Sequence, residues 1–320
     1  MLTIASSTLS TPLILAPLAG YSDLPFRLLC REYGAGLCVS EMISCHGLVY
    51  AQKKTLQMLA SSPAEKPVSF QIFGADVAMM AKAADILNRF QPDLVDINMG
   101  CPVKKVTKKG AGAALMAQPD LAAEIIREVV RNSESPVSVK FRRGIDAKTI
   151  NCVDFAKMVE GSGAAAISIH GRTWSQGFTG EADWQSISDV KKAVHLPVIG
   201  NGDIRSYAHA MKQLQTAGCD GIMIGRGALG NPWVFSKNGR PSTPDKIFPA
   251  VIRHLELMQQ YIRVDRLLPM VKNHIGRYFK NFQGSSMMRR KIFESASFEH
   301  LNHYLRDMAE QRTTSASLPD

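Results

Sequence analysis

Paired cysteines are missing from this 320-residue chain. Its six cysteines, Cys30, Cys38, Cys45, Cys101, Cys152 and Cys219, are scattered and form no CxxC, which argues against a zinc site or a disulfide framework and suits a reducing compartment. Long hydrophobic runs are missing too. None reaches the roughly 18 residues of a membrane span, so no membrane partner is expected. The N-terminus has no basic stretch leading into an apolar one, so a cytoplasmic location is expected rather than secretion. No GxGxxG follows the first apolar run, which weakens a doubly wound dinucleotide-binding sheet as the alternative fold. No cluster of metal-ligand residues stands out, so no metal is expected and a metal-dependent aldolase is disfavoured.

Positive charge is what the chain does have. Lys and Arg number 38 against 28 Asp and Glu, a net +10, and a basic protein of this size often meets a polyanion. Hydrophobic content of 45% and charged content of 21% are those of a soluble globular protein. The length allows one large domain and a smaller one.

Short Val- and Ile-rich runs recur at 13–17, 37–41, 68–74, 93–100, 137–142, 165–171, 197–203 and 220–226. Helical patterns lie between them, as at 76–90 and 120–130. These runs read as strands lacking polar alternation, which is expected when protein covers both faces. Eight strand–helix units in this length predict an α/β fold, a closed (β/α)8 TIM barrel. Beyond a Gly-, Pro- and Ser-containing linker at 236–246 the patterns are helical only. The expected division is a catalytic barrel over 1–240 and a smaller all-helical domain over 241–320.

Barrel active sites form at the carboxyl ends of the strands. Those ends carry Pro17, Leu18 and Ala19; Gln71; Asn98 and Cys101; Lys140 and Arg142; His170 and Arg172; Asn201, Gly202 and Asp203; and Gly225 and Arg226. Gln71 and Lys140 are polar residues inside apolar runs, which is costly without partners, so a ligand is favoured for both. The glycine turns after strands seven and eight fit a phosphate. Together these predict a phosphorylated cofactor with its ring system near Lys140 and Gln71. Gly100 and Pro102 fix Cys101 at a strand end, where a thiol can act as an acid, a nucleophile or a redox partner. Lys104, Lys105, Lys108 and Lys109 follow, fitting either a solvated loop or phosphate attraction.

The motifs "APLAGYSDLPFR", "QIFG", "DINMGCPVKK", "GAGAALM", "VKFRRG", "IHGRTWSQGFTGEADW", "NGDI" and "MIGRGALGNPW" together resemble those of tRNA-dihydrouridine synthases, most of all the bacterial B-type branch. Trp174 stands where that family often has arginine or alanine. The resemblance covers about the first 235 residues. It implies an FMN-bound barrel, a helical tRNA-recruiting domain and reduction of uridine to 5,6-dihydrouridine by NADPH, or by NADH in its place. By the same resemblance Pro17, Leu18 and Ala19 line the flavin, and Gln71, Lys140 and His170 lie by its ring. Asn201, Gly202, Asp203, Gly225 and Arg226 hold its phosphate. Asn98 faces the uracil, and Cys101 protonates C5 as hydride reaches C6.

Arg142, Arg172, Lys104, Lys105, Arg277 and Lys280 are assigned to the substrate, the last two as neighbours on one helix face. No obligate protein partner is evident, and a monomer is expected. A flavin barrel acting on a free pyrimidine, or an RNA-binding protein without catalysis, would explain fewer of these residues.

Overall fold

The computed structural model of the chain describes residues 2–280 and 284–315. Eight strands form the barrel: β1 Leu13–Leu15, β2 Leu37–Val39, β3 Val68–Phe73, β4 Leu94–Met99, β5 Val137–Gly144, β6 Ala166–Thr173, β7 Val198–Asn201 and β8 Gly221–Ile224. Each pairs in parallel with the next, and β8 pairs with β1 to close the ring. All eight expected strands are present, most of them trimmed or extended by one or two residues.

Helices cover the outside. They are α1 Leu24–Glu32, α2 Cys45–Val49, α3 Lys53–Gln57, α4 Val77–Asn88, α5 Lys104–Thr107, α6 Pro119–Asn132, α7 Cys152–Gly161, α8 Trp184–Ala193 and α9 Tyr207–Ala217. Side-chain caps start several of them. Asp23 accepts from the Phe26 N–H, Asp76 from Met79 and Ser206 from His209, each satisfying a first-turn donor that has no partner within the helix. Gly218 ends α9 in the left-handed conformation that favours glycine.

The strands do alternate, contrary to the sequence reading. Phe70, Ile72, Val95, Ile97, Val139, Phe141, Ile167 and Ile169 belong to the core cluster shared with the surrounding helices. Burying such a side chain contributes about 1.5–3 kcal/mol. The residues between them are Ser69, Gln71, Asp96, Asn98, Ser138, Lys140, Arg142, Ser168, His170 and Arg172, and they face inward. Register stacks them in layers: Gln71 beside Asp96, Asp96 beside Ser138, Asn98 beside Lys140, and Arg142 beside His170. Below them the interior is apolar. Leu2, Ile4 and Leu9 of an N-terminal hairpin pack with Ile14, Leu37, Leu94 and Ile199 and plug the barrel floor.

Four helices follow the barrel: α10 Phe248–Tyr261, α11 Val264–Ile275, α12 Ser285–Glu294 and α13 Phe298–Ser315. Their apolar faces form one cluster, which also takes in Leu24, Leu28 and Leu29 of α1 and Trp233. The helical region is therefore seated on the barrel through α1. One expectation needs correction. Arg277 and Lys280 do not share a helix face, because α11 stops at Ile275 and the chain turns at Gly276. The backbone of Arg277 then passes so close to Gly230 that a Cβ there would lie 2.3 Å from the Arg277 carbonyl carbon. Positions 281 and 282, the end of that helical pattern, lie outside the described residues.

Candidate active site

The carboxyl ends of the strands open into a cavity of about 980 Å³. All eleven expected cofactor residues line it, as do Asn98, Cys101, Arg142, Arg172, Arg277 and Lys280. Lys104 and Lys105 do not. They are exposed on α5, just past the lining residues Cys101, Pro102 and Val103.

Cys101 differs from the other five cysteines, which are buried while it is partly exposed. Burial pushes the thiols of Cys38 up to about 12 and of Cys45, Cys152 and Cys219 up to about 11, which makes them inert core residues. Cys101 is held from below. Its N–H donates to Asn98 Oδ1 at 2.9 Å, and the Gly100 N–H donates to the same oxygen at 3.2 Å. Asn98 Nδ2 donates to Gln71 Oε1 at 2.8 Å, and Gln71 Nε2 donates to Asp96 Oδ2 at 2.6 Å. Ser138 Oγ donates to the other Asp96 oxygen. Burial pushes the Asp96 carboxyl up to about 6, against the opposing pull of Gln71, Ser138 and Lys140. Asp96 was missed in the sequence, although it is as polar an interruption of an apolar run as Gln71.

Lys140 reaches up from β5, and its Nζ donates to Asn201 Oδ1 at 3.3 Å. Asn201 Nδ2 in turn donates to Met223 O at 2.7 Å, fixing that amide. Burial, then Arg142, pulls the Lys140 ammonium down to about 8, with Asp96 opposing. His170 is driven well below its ordinary value by burial and by Lys140, Arg142, Arg172 and Arg226, so it is neutral at pH 7. Its Nε2 lies 3.4 Å from the Arg172 guanidinium. Because arginine only donates, Nε2 accepts and Nδ1 carries the proton.

Arg142 and Arg172 are both 2% exposed, and backbone carbonyls occupy much of their donor capacity. Arg142 donates to Gly100 O, Thr173 O and Gly177 O. Arg172 donates to Thr179 O and Gly180 O and to both Asp203 oxygens at 2.8 Å. Burial would raise the Asp203 carboxyl, but the hydrogen bonds from Arg172 and Ala182 outweigh it and hold it below the usual range. Asp203 is thus a clamp on Arg172, and its backbone rather than its side chain is free to meet an anion. It sits at φ 56°, in the left-handed region that Asp and Asn tolerate best among residues with side chains.

Three further residues reach the mouth that were given no role from the sequence, although Tyr21 and Phe178 lie inside the quoted motifs. Arg240, inside the expected linker, donates to Gly230 O and Tyr278 O and stacks on Trp233. Tyr21 takes donation from Arg277 and donates to Asn273 Oδ1 at 2.7 Å. Phe178 lies under both Arg142 and Arg226. Among the described residues, no group of three or more His, Cys, Asp or Glu is placed to hold a metal ion. No helix among them is long and apolar enough to cross a membrane.

The fold and its mouth define a class: a (β/α)8 barrel whose cationic cavity surrounds one accessible thiol. Residues 14–314 match the family model described as Dihydrouridine synthase (Dus). The chain is similar to tRNA-dihydrouridine synthase B of Pasteurella multocida, 39% identical over 90% of this chain and 89% of that one. It is also similar to the protein of that name from Pseudomonas aeruginosa, 38% identical over 89% of each. Among solved structures, an old yellow enzyme homologue from Zymomonas mobilis shares the fold, with TM-score 0.53 and 16% identity over 72% of this chain and 89% of that one. The chain belongs to the dihydrouridine synthase family.

Proposed function

We propose that this protein reduces uridines of tRNA to 5,6-dihydrouridine, with FMN as resident cofactor and NADPH as electron donor. The observation that carries the reading is Cys101, a partly exposed thiol held at a strand end and opening into the cationic cavity. FMN fits the residues present. The volume lies within the range of cofactor pockets. Pro17, Leu18 and Ala19 offer an apolar wall, Lys140 offers a polar group for a ring edge, and Arg226 with the Gly202 and Gly225 turns suits a phosphate.

Bound and reduced, FMN would supply the hydride for uracil C6. The chain's own residues do the rest. Asn98 and Cys101 face the base, and the Cys101 thiol gives its proton to C5. Lys140 and Arg142 line the same cavity as Cys101 and bring positive charge to it. Neutral His170 adds a donor without adding charge. Residues 1–240 form the catalytic unit, and 241–320 recruit tRNA. Arg277 and Lys280 extend the cationic surface from the mouth toward that region, where phosphate contacts offset the few kcal/mol needed to unstack a base. The protein works in the cytoplasm, as a monomer.

The test is direct. Protein purified from cells should be yellow, release FMN on denaturation, and add two hydrogens to tRNA uridines when given NADPH. A colourless protein, or one that reduces free uracil and leaves tRNA untouched, would overturn the reading.

A further inference from the structure

The geometry points to Asp96 as a positioning residue for Cys101: an acceptor-only side chain that dictates the orientation of Gln71, then of Asn98, and so the seat of the thiol. Asp96 is 1% exposed and touches no part of the cavity mouth. It faces two donors, Gln71 Nε2 at 2.6 Å and Ser138 Oγ.

A side-chain amide can sit either way round, since its oxygen and nitrogen ends are nearly the same size. A carboxylate below Gln71 removes the choice. The NH2 end must point down to Asp96, so Oε1 points up. Asn98 then has to present Nδ2 to that oxygen, which turns its own Oδ1 toward the N–H groups of Gly100 and Cys101. Polarity is thereby transmitted over three side chains from a buried charge to the backbone of the reactive residue. With an apolar side chain at 96 both amide orientations become available, and one of them sets Asn98 Nδ2 against two backbone donors.

The proposal rests on the reading of Cys101 as proton donor, so two independent quantities are measured on the flavin-loaded protein. One is the rate of Cys101 alkylation by iodoacetamide, followed by mass spectrometry. The other is kcat and KM for tRNA. Asp96→Leu keeps the size and removes the acceptor. It should change the alkylation rate by roughly threefold or more and lower kcat by about tenfold, with KM for tRNA within about twofold because its tRNA contacts are untouched.

Ser138→Ala, which disturbs the same pocket but leaves the carboxylate under Gln71, should keep the wild-type alkylation rate. Asp96→Asn keeps an oxygen at this place but adds a donor, so it should change the rate by a smaller factor than Asp96→Leu. This arm decides the matter if Asp96→Leu does not fold. A wild-type alkylation rate in folded Asp96→Leu, or in Asp96→Asn where Asp96→Leu does not fold, or an equal change in Ser138→Ala, would overturn the proposal. Altered alkylation with unchanged kcat would instead uphold the positioning and overturn the proton-donor reading.

Discussion

Two aspartates of the same barrel, one beneath its mouth and one at the rim, are treated oppositely. Asp96, on the arc formed by β3 to β5, meets an amide and a hydroxyl, and its carboxyl is pushed up to about 6. Asp203, across the mouth after β7, receives both bonds of one guanidinium and is held low. The first arc is a chain of oriented amides ending at a thiol. The second is an ionic clamp that anchors the 172–180 loop. Burial sets the first state against the pull of its partners, and the guanidinium overrides burial in the second. One arc is built to orient a reacting group and the other to keep cationic charge in place at the rim.

The comparison is tested hardest at the end of the first arc. Cys101→Ala should fold and keep its flavin, because the thiol is partly exposed and only the Cys101 backbone is tied to Asn98. It should lose roughly 10²–10⁴-fold in the rate at which tRNA reoxidises the reduced protein, the usual contribution of a positioned acid. Single-turnover absorbance of the flavin reads this. A near-normal rate would make the first arc structural.

Next in size is a pH effect. The folded Asp96 carboxyl titrates near 6, above the ordinary aspartate value of 3.8, so between about pH 4 and 6 the folded state holds the extra proton. Its contribution to stability is full below that window and is lost as pH rises through it. The loss comes to about 3 kcal/mol, because each pH unit crossed costs roughly 1.4 kcal/mol. Asp96→Asn should remove this fall, giving a flatter urea-unfolding profile from pH 4 to 6. An unchanged profile would mean that Asp96 is ionised as readily as Asp203.

Breaking the second arc comes third. Asp203→Asn suits the positive φ but removes the charge facing Arg172, which stays 2% exposed. A loss of about 2–3 kcal/mol in unfolding free energy is expected. A loss below about 1 kcal/mol would show that the Thr179 and Gly180 carbonyls suffice.

The eight strands were legible because their outward-facing Val, Ile and Phe recur in short runs even where the inward positions are polar, and the strand ends delivered all eleven expected cofactor residues of the lining. What escaped depends on contacts distant in sequence. Arg240 looks like linker until its carbonyl partners, Gly230 and Tyr278, are brought together by the docking of the helical region on α1. Tyr21 acquires meaning only from Asn273 and Arg277, some 250 residues later. The end of α11 at Gly276 was hidden because "HIGRYF" keeps an apolar rhythm through a turn. Asp96 was within reach: position 96 falls two before Asn98, on the same inward face, and alternation would have paired them.

The smallest expected effect extends the ionic side of the comparison toward RNA. Arg277 and Lys280 come from an irregular segment after α11, yet both line the cavity with Arg226 and Arg240. Arg277 is braced against Tyr21 from the barrel's first strand end, its guanidinium 4.6 Å from the ring centroid. A phosphate at this seam would thus touch barrel and helical region together. Each neutralised phosphate steepens the log–log salt dependence of binding by roughly 0.7 to 0.9. Arg277→Ala/Lys280→Ala should therefore flatten the slope for tRNA by about 1.5, with NADPH reduction of the flavin unchanged. Filter binding at several salt concentrations measures it. An unaltered slope would move the phosphate contacts to the other rim, where α5 presents Lys104 and Lys105 to solvent. Lys104→Ala/Lys105→Ala would then show the flattening instead.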